Sequence, residues 1–112
     1  MIIYISDHGE EVFENGREFT GHSMEESDNR SMIEIPAIIW CSQKFRQSYS
    51  EKNSALNAAL DRPYRTDYLI HTLLDLLDIS TTSFEPTKSI LNARFNSSRP
   101  RIYNGEPYVK DD

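Results

Sequence analysis

The sequence predicts an α/β fold, a mostly parallel sheet flanked by helices. Three observations predict it. Met1–Ile5 is a nearly continuous apolar run rich in β-branched residues, residues 32–40 ("MIEIPAIIW") form a second such run, and residues 62–79 carry helical periodicity. Two or three strands make a poor free-standing parallel sheet, so the same order points to a fragment of a larger layered domain.

Each element has its own justification. The run at Met1–Ile5 fits a strand buried on both faces of a parallel sheet. Residues 9–31 are polar, are broken by Gly9, Gly16 and Gly21, and carry the turn signal Asn15-Gly16. A connection that long without periodicity is usually functional or disordered. Within residues 32–40, Pro36 cannot donate to a ladder and marks an edge, a bulge or the strand start. Ser42 can cap a helix running to about Ala59, with Phe45, Tyr49, Leu56 and Leu60 on one side and Ser50 as a point of restart.

The clearest helix is "RPYRTDYLIHTLLDLLDI", residues 62–79. Thr66 is its expected N-cap, and Asp67 sits in the first turn, where the helix dipole favours an acid. Leu69, Ile70, Leu73, Leu74 and Leu77 form the expected buried stripe. Asp67, His71, Asp75 and Asp78 fall opposite and read as a solvated face. Beyond Ser80 the chain turns polar and irregular, an extended tail over 80–112 with one short strand around Arg101–Tyr103.

Composition excludes several functions. The net charge is −6 over 112 residues, and nucleic-acid backbones call for clustered Lys and Arg. The lone Cys41 permits no internal disulfide and reads as a small buried hydrophobe. No stretch approaches the ~20 apolar residues that cross a bilayer, and no basic leader precedes the first apolar run. Made alone as given, the chain is expected to be soluble and cytoplasmic.

The chemistry gathers in "YISDHGEEVFENG", residues 4–16. Neighbouring side chains on a strand point to opposite faces, so Asp7 and His8 can share a metal only where the strand ends and the chain turns. Gly9 makes such a turn cheap. The carboxyl ends of strands are where open α/β sheets bind ligands. A carboxylate with an imidazole suits Zn²⁺, and Mn²⁺ less well. The alternative is a plain Asp-His-Gly turn. His22 lies within the same loop and either folds back as a second imidazole, toward metal or phosphate, or stays solvated. Glu10 is placed to orient His8. Two ligands do not complete a catalytic zinc site, which usually needs three and an open position.

These stretches, with "GHS", "RSMIEIPAIIW" and the 62–79 helix, resemble the C-terminal part of the phosphoethanolamine transferases of Gram-negative bacteria. Those enzymes belong to the alkaline-phosphatase and sulfatase superfamily. The resemblance runs from about residue 2 to residue 79 and more loosely through "RPRIYNGEPY". It implies a C-terminal portion of a sulfatase-like catalytic domain spanning residues 1–112. It implies that Asp7 and His8 are zinc ligands and that His22 is a catalytic histidine contacting the transferred phosphate or a second zinc. It implies a parent enzyme anchored in the inner membrane, with its catalytic domain on the periplasmic face. That parent would take phosphoethanolamine from phosphatidylethanolamine and pass it to lipopolysaccharide, on lipid A or core.

The family's nucleophilic threonine, its upstream acidic ligand and its membrane helices have no counterpart here, so the chain is expected to be inactive alone. Two other readings stand beside this one. One is a fragment of another member of the superfamily, a hydrolase or a phosphoglycerol transferase. The other is a non-catalytic module that binds a metal or a partner protein.

Overall fold

The computed structural model describes residues 1–13, 16, 18, 20–22, 30–103 and 105–108. It comprises two compact units, Met1–Cys41 and Ser42–Asp112.

In the first unit, strand β1 (Ile2–Ile5) pairs antiparallel with β4 (Ala37–Trp40), Ile2 opposite Trp40 and Tyr4 opposite Ile38. Between them lie two short strands, β2 (Glu11–Val12) and β3 (Thr20–Gly21), also antiparallel, and a helical turn α1 (Arg30–Ile33). The expected strand over 32–40 is therefore shorter. Met32 turns inward and is buried, and the strand starts directly after Pro36, which has no N–H for a ladder. Asn15 of the expected turn lies outside the described residues.

The three strand pairings among the described residues are all antiparallel. The parallel neighbours expected for β1 are absent there, and its burial differs accordingly. Residues directly opposite in an antiparallel pair share a face. Ile2, Tyr4, Ile38 and Trp40 thus form one apolar face, and each is more than half exposed. A strand composed for burial on both sides shows this pattern when a single neighbour pairs with it.

The second unit is helical. Ser42 caps α2 (Gln43–Ser48) by accepting the Phe45 N–H at 3.2 Å. Tyr49, at φ −131 and ψ 53, breaks the helix, and α3 (Ser50–Asn57) restarts at Ser50. Arg65, rather than Thr66, flanks the next start, and its backbone is extended. Thr66–Tyr68 forms a 3-10 turn, with Asp67 in its first turn, that leads into α4 (Leu69–Leu76).

Helix α4 ends in a Schellman motif: Ile79 N–H reaches Leu74 O at 2.8 Å and Asp78 N–H reaches Asp75 O at 3.3 Å. Asp78 takes the left-handed position at φ 55. Lys52 completes this end, its ammonium 2.7 Å from Leu76 O and 2.6 Å from the Asp78 carboxylate, a cation where the helix dipole favours one.

The faces of α4 differ from expectation. Ile70 and Leu77, two members of the apolar stripe, are more than half exposed, while Tyr68, His71, Thr72 and Leu76 are buried. His71 is no solvated residue: its Nδ1 accepts the Glu85 N–H at 3.1 Å. Asp75 is half-buried and accepts from the Asn92 amide at 2.9 Å. Residues 84–92 thus cover the polar face of α4 by supplying hydrogen-bond partners, which removes the penalty for burying it. Arg62 adds bonds to the Ile90 and Asn92 carbonyls. A 3-10 turn at Pro86–Lys88 lies within residues 80–108, and a hairpin of β5 (Arg101–Tyr103) and β6 (Glu106–Tyr108) closes that stretch.

Thr72 is the polar hub of this packing. Its hydroxyl lies 2.7 Å from Tyr64 OH and accepts the Ile90 N–H at 3.2 Å, at 1% exposure. Thr72→Val keeps the volume but removes the hydroxyl, leaving Tyr64 OH and the Ile90 N–H without that partner. The expected loss is about 2 kcal/mol, since buried groups left unmet cost roughly 1–3 kcal/mol. Chemical denaturation measures it, and a loss under about 0.5 kcal/mol would show the hub to be dispensable.

Candidate functional site

The first unit builds its site where β1 ends. Ser6 Oγ donates to His8 O at 2.7 Å, and His8 N–H donates to Asp7 Oδ1 at 3.0 Å, so the backbone turns at once after the strand. Gly9 fixes where the turn lies. Its N–H donates to Met32 O at 2.8 Å. A Cβ at Gly9 would stand 2.1 Å from Ser31 O, a backbone atom that no side-chain rotation can move. Glycine is required here by close approach to α1.

Beyond Glu11 the chain returns through the β2–β3 pair, which sets Glu11 opposite Gly21. Gly21 has φ 114, a conformation that side chains rarely adopt, and it delivers His22 back toward His8. The two imidazole rings stand 4.1 Å apart between centroids. His8, Glu10 and His22 each place one ligand-capable atom within 4.8 Å of the others, and all three are exposed.

The hydrogen bonds assign the ring nitrogens. His8 Nδ1 lies 2.9 Å from Gly9 O. A carbonyl only accepts, so Nδ1 carries the proton and Nε2 keeps its lone pair. That Nε2 lies 3.8 Å from Asp7 Oδ2. Two donors bound to one tetrahedral zinc at ~2.0–2.1 Å lie about 3.4 Å apart, so this pair needs only a small closure. His22 Nδ1 lies 3.2 Å from Glu10 Oε1, which likewise leaves its Nε2 free of that contact.

The electrostatics agree with a cation. Residues 1–41 hold nine acidic and two basic side chains, a net of −7, which raises the local concentration of cations. The Gly9 carbonyl, joined by the Asp7 and Glu10 carboxylates, raises the His8 pKa above its ordinary 6.5. The His8 backbone N–H, with the His8 ring nearby, depresses the Asp7 pKa below 3.8.

Of the residues singled out in sequence, His8 and His22 meet, and Asp7 stands beside His8 outside the His8–Glu10–His22 group. Glu10 lies nearer His22, at 3.2 Å, than His8, at 3.8 Å. Sequence reasoning missed Glu11 and Ser31, whose side chains meet at 2.5 Å beneath the turn. The adjacency of Glu11 to the motif was the available signal for one, and nothing local marks the other. Cys41 is half-buried with a free thiol.

The Sulfatase family model matches residues 1–79 of the chain. The chain belongs to the sulfatase family. Among similar proteins are the phosphoethanolamine transferases CptA of Salmonella typhimurium LT2 and EptC of Escherichia coli K12, each 34% identical over 111 residues. Those matches cover 99% of this chain and 18% of each relative. EptA of Escherichia coli O157:H7 is 30% identical over 91 residues, 80% of this chain and 16% of that protein.

The crystal structure of the C-terminal periplasmic domain of EcEptC superposes at a TM-score of 0.77 with 32% identity, covering 97% of this chain and 30% of that one. Its complex with Zn superposes at the same TM-score, covering 29% of that chain. This sulfatase-family chain thus spans under a fifth of the curated relatives it matches. Among its described residues no helix is long and apolar enough to cross a membrane.

Proposed function

We propose that this chain is part of a zinc-dependent phosphoethanolamine transferase, with phosphatidylethanolamine as donor and lipopolysaccharide, on lipid A or core, as acceptor. The parent works at the periplasmic face of the inner membrane, and residues 1–112 are a C-terminal portion of its catalytic domain, inactive alone. The observation that carries the reading is the convergence of Asp7, His8, Glu10 and His22 at the end of β1 in a chain of this family.

Asp7 Oδ2 and His8 Nε2 are the donors that would hold zinc, which when bound neutralises charge on phosphoryl oxygens and activates an attacking hydroxyl. The residues of this chain do the rest. The Gly9 carbonyl fixes the His8 tautomer. Glu10 fixes the His22 ring through Nδ1, so Nε2 is the nitrogen left to meet a phosphoryl oxygen or a leaving group. The exposure of all four side chains suits a lipid headgroup that must reach them.

A chimera tests this. The present chain replaces the matching 18% of Escherichia coli EptC, and labelled phosphatidylethanolamine and phosphatidylglycerol are compared as donors. Phosphoethanolamine transfer by the chimera, with none by the isolated chain, is expected. Preference for phosphatidylglycerol, or transfer by the isolated chain, would overturn the reading.

Zinc affinity should also depend on pH with a determined sign. The metal needs neutral His8, whose pKa is raised above the ordinary 6.5, so protons begin to compete above that ordinary value and the affinity falls as pH drops through the raised pKa. Asp7, depressed below 3.8, stays ionised throughout. Titrations from pH 8 to about 5.5 should show log K falling by about one unit per pH unit for each imidazole proton displaced. A flat profile would remove His8 from the ligand set.

A further inference from the structure

Glu11 is fully buried, at 0% exposure, directly beside a cluster whose members are all exposed. A carboxylate is rarely placed there without a task, because burial costs it hydration. Its side chain receives the Ser31 hydroxyl at 2.5 Å, and Ser31 belongs to α1. Its backbone pairs with Gly21, which immediately precedes His22. Its chain neighbour Glu10 contacts His22 at 3.2 Å. The Ser31 carbonyl is also the atom against which Gly9 packs, and Met32 O receives the Gly9 N–H at 2.8 Å. Glu11 therefore joins the three segments that carry the cluster: the Asp7–Glu10 turn, the strand before His22, and α1.

We propose that Glu11, through Ser31, is a positioning residue that holds the His8 and His22 imidazoles in register. Its importance to metal and phosphate chemistry rests on the proposed function. Its effect on ring placement does not.

The experiment uses the whole 112-residue chain as wild type, Glu11→Ala, Glu11→Gln, Ser31→Ala and the Glu11→Ala/Ser31→Ala pair. Three quantities are read: the nuclear Overhauser effect between the His8 and His22 rings without metal, the dissociation constant for Zn²⁺, and the visible spectrum of the Co²⁺ form. Glu11→Ala and Ser31→Ala should each weaken the ring–ring effect and raise the zinc Kd about tenfold, the lower end of what losing an orienting partner costs. The double variant should be no worse than Glu11→Ala, since both remove one shared bond. Glu11→Gln keeps an oxygen that can accept from Ser31 and should stay within about threefold of wild type, with an unchanged cobalt spectrum.

Should Glu11→Ala fail to fold, Ser31→Ala and Glu11→Gln still decide the matter. A lowered Tm with ring–ring effect and cobalt spectrum intact would overturn the proposal and leave Glu11 a purely structural anchor. If wild type binds no zinc, the zinc reading fails by itself, and the metal-free ring–ring series still decides for or against Glu11.

Discussion

Gly9→Ala is expected to dismantle the site. The added methyl would sit 2.1 Å from the Ser31 carbonyl, well inside any contact distance, and the opposing atom is backbone. The strand end and α1 must separate, which breaks the 2.8 Å bond from Gly9 N–H to Met32 O and strains the Glu11–Ser31 contact below it. Overpacking typically costs 1–3 kcal/mol where side chains can adjust. Here none can, so the expected loss for Met1–Cys41 is about 3 kcal/mol or more. Amide exchange at Gly9 and Glu11, with the ring contact between His8 and His22, measures it. A variant that keeps both protection and ring contact would show the close approach to be relaxed in solution.

His8→Ala is the second large effect, and it acts on binding instead of folding. His8 is 42% exposed at its side chain, and its ring bonds are to the neighbouring Gly9 O and to carboxylates. Its removal should therefore shift stability by less than about 0.5 kcal/mol. It takes away the nitrogen that Asp7 Oδ2 faces and the ring that lies tilted against His22. The zinc Kd should rise by at least the 10–100-fold that loss of an orienting partner costs. Calorimetric titration at pH 7.5 reads it, beside a denaturation curve that should barely move. Unchanged zinc affinity would place any metal on other residues.

Much of this was legible in sequence where the signal is local. Asp7-His8-Gly9 marks a strand end, Ser42 marks a cap, and Ser50 marks a restart, because each acts on its near neighbours. Pro36 marked an edge, a bulge or a strand start for the same reason, and β4 begins directly after it. For His22 the loop left two outcomes open, a fold back as a second imidazole or a solvated position, and its ring stands 4.1 Å from that of His8. The failures share one cause. Helical periodicity located the leucines of α4 correctly but not the face that the chain covers, because residues 84–92 hold hydrogen-bond partners for His71 and Asp75 that no pattern within the helix reveals. The fold class was legible, since the chain superposes on a sulfatase-family periplasmic domain at a TM-score of 0.77, and Ile2 and Tyr4, composed for a strand buried on both faces, stand exposed beside the single antiparallel partner that the described residues supply. The Glu11–Ser31 pair, twenty residues apart, was invisible for want of any local mark.

The short β2–β3 pair has a kinetic consequence. His8, Glu10 and His22 fall within fifteen consecutive residues, whereas β1 and β4 meet across at least 32 positions. Closing the shorter segment costs roughly 0.7 kcal/mol less chain entropy, and hairpins of this kind form in about 1–10 μs. The His8–Glu10–His22 group can therefore assemble ahead of the sheet that presents it. On the proposed zinc reading, an ion captured by His8 at that moment would stabilise the segment that β1 and β4 close around, so that metal supply would govern folding yield as well as occupancy.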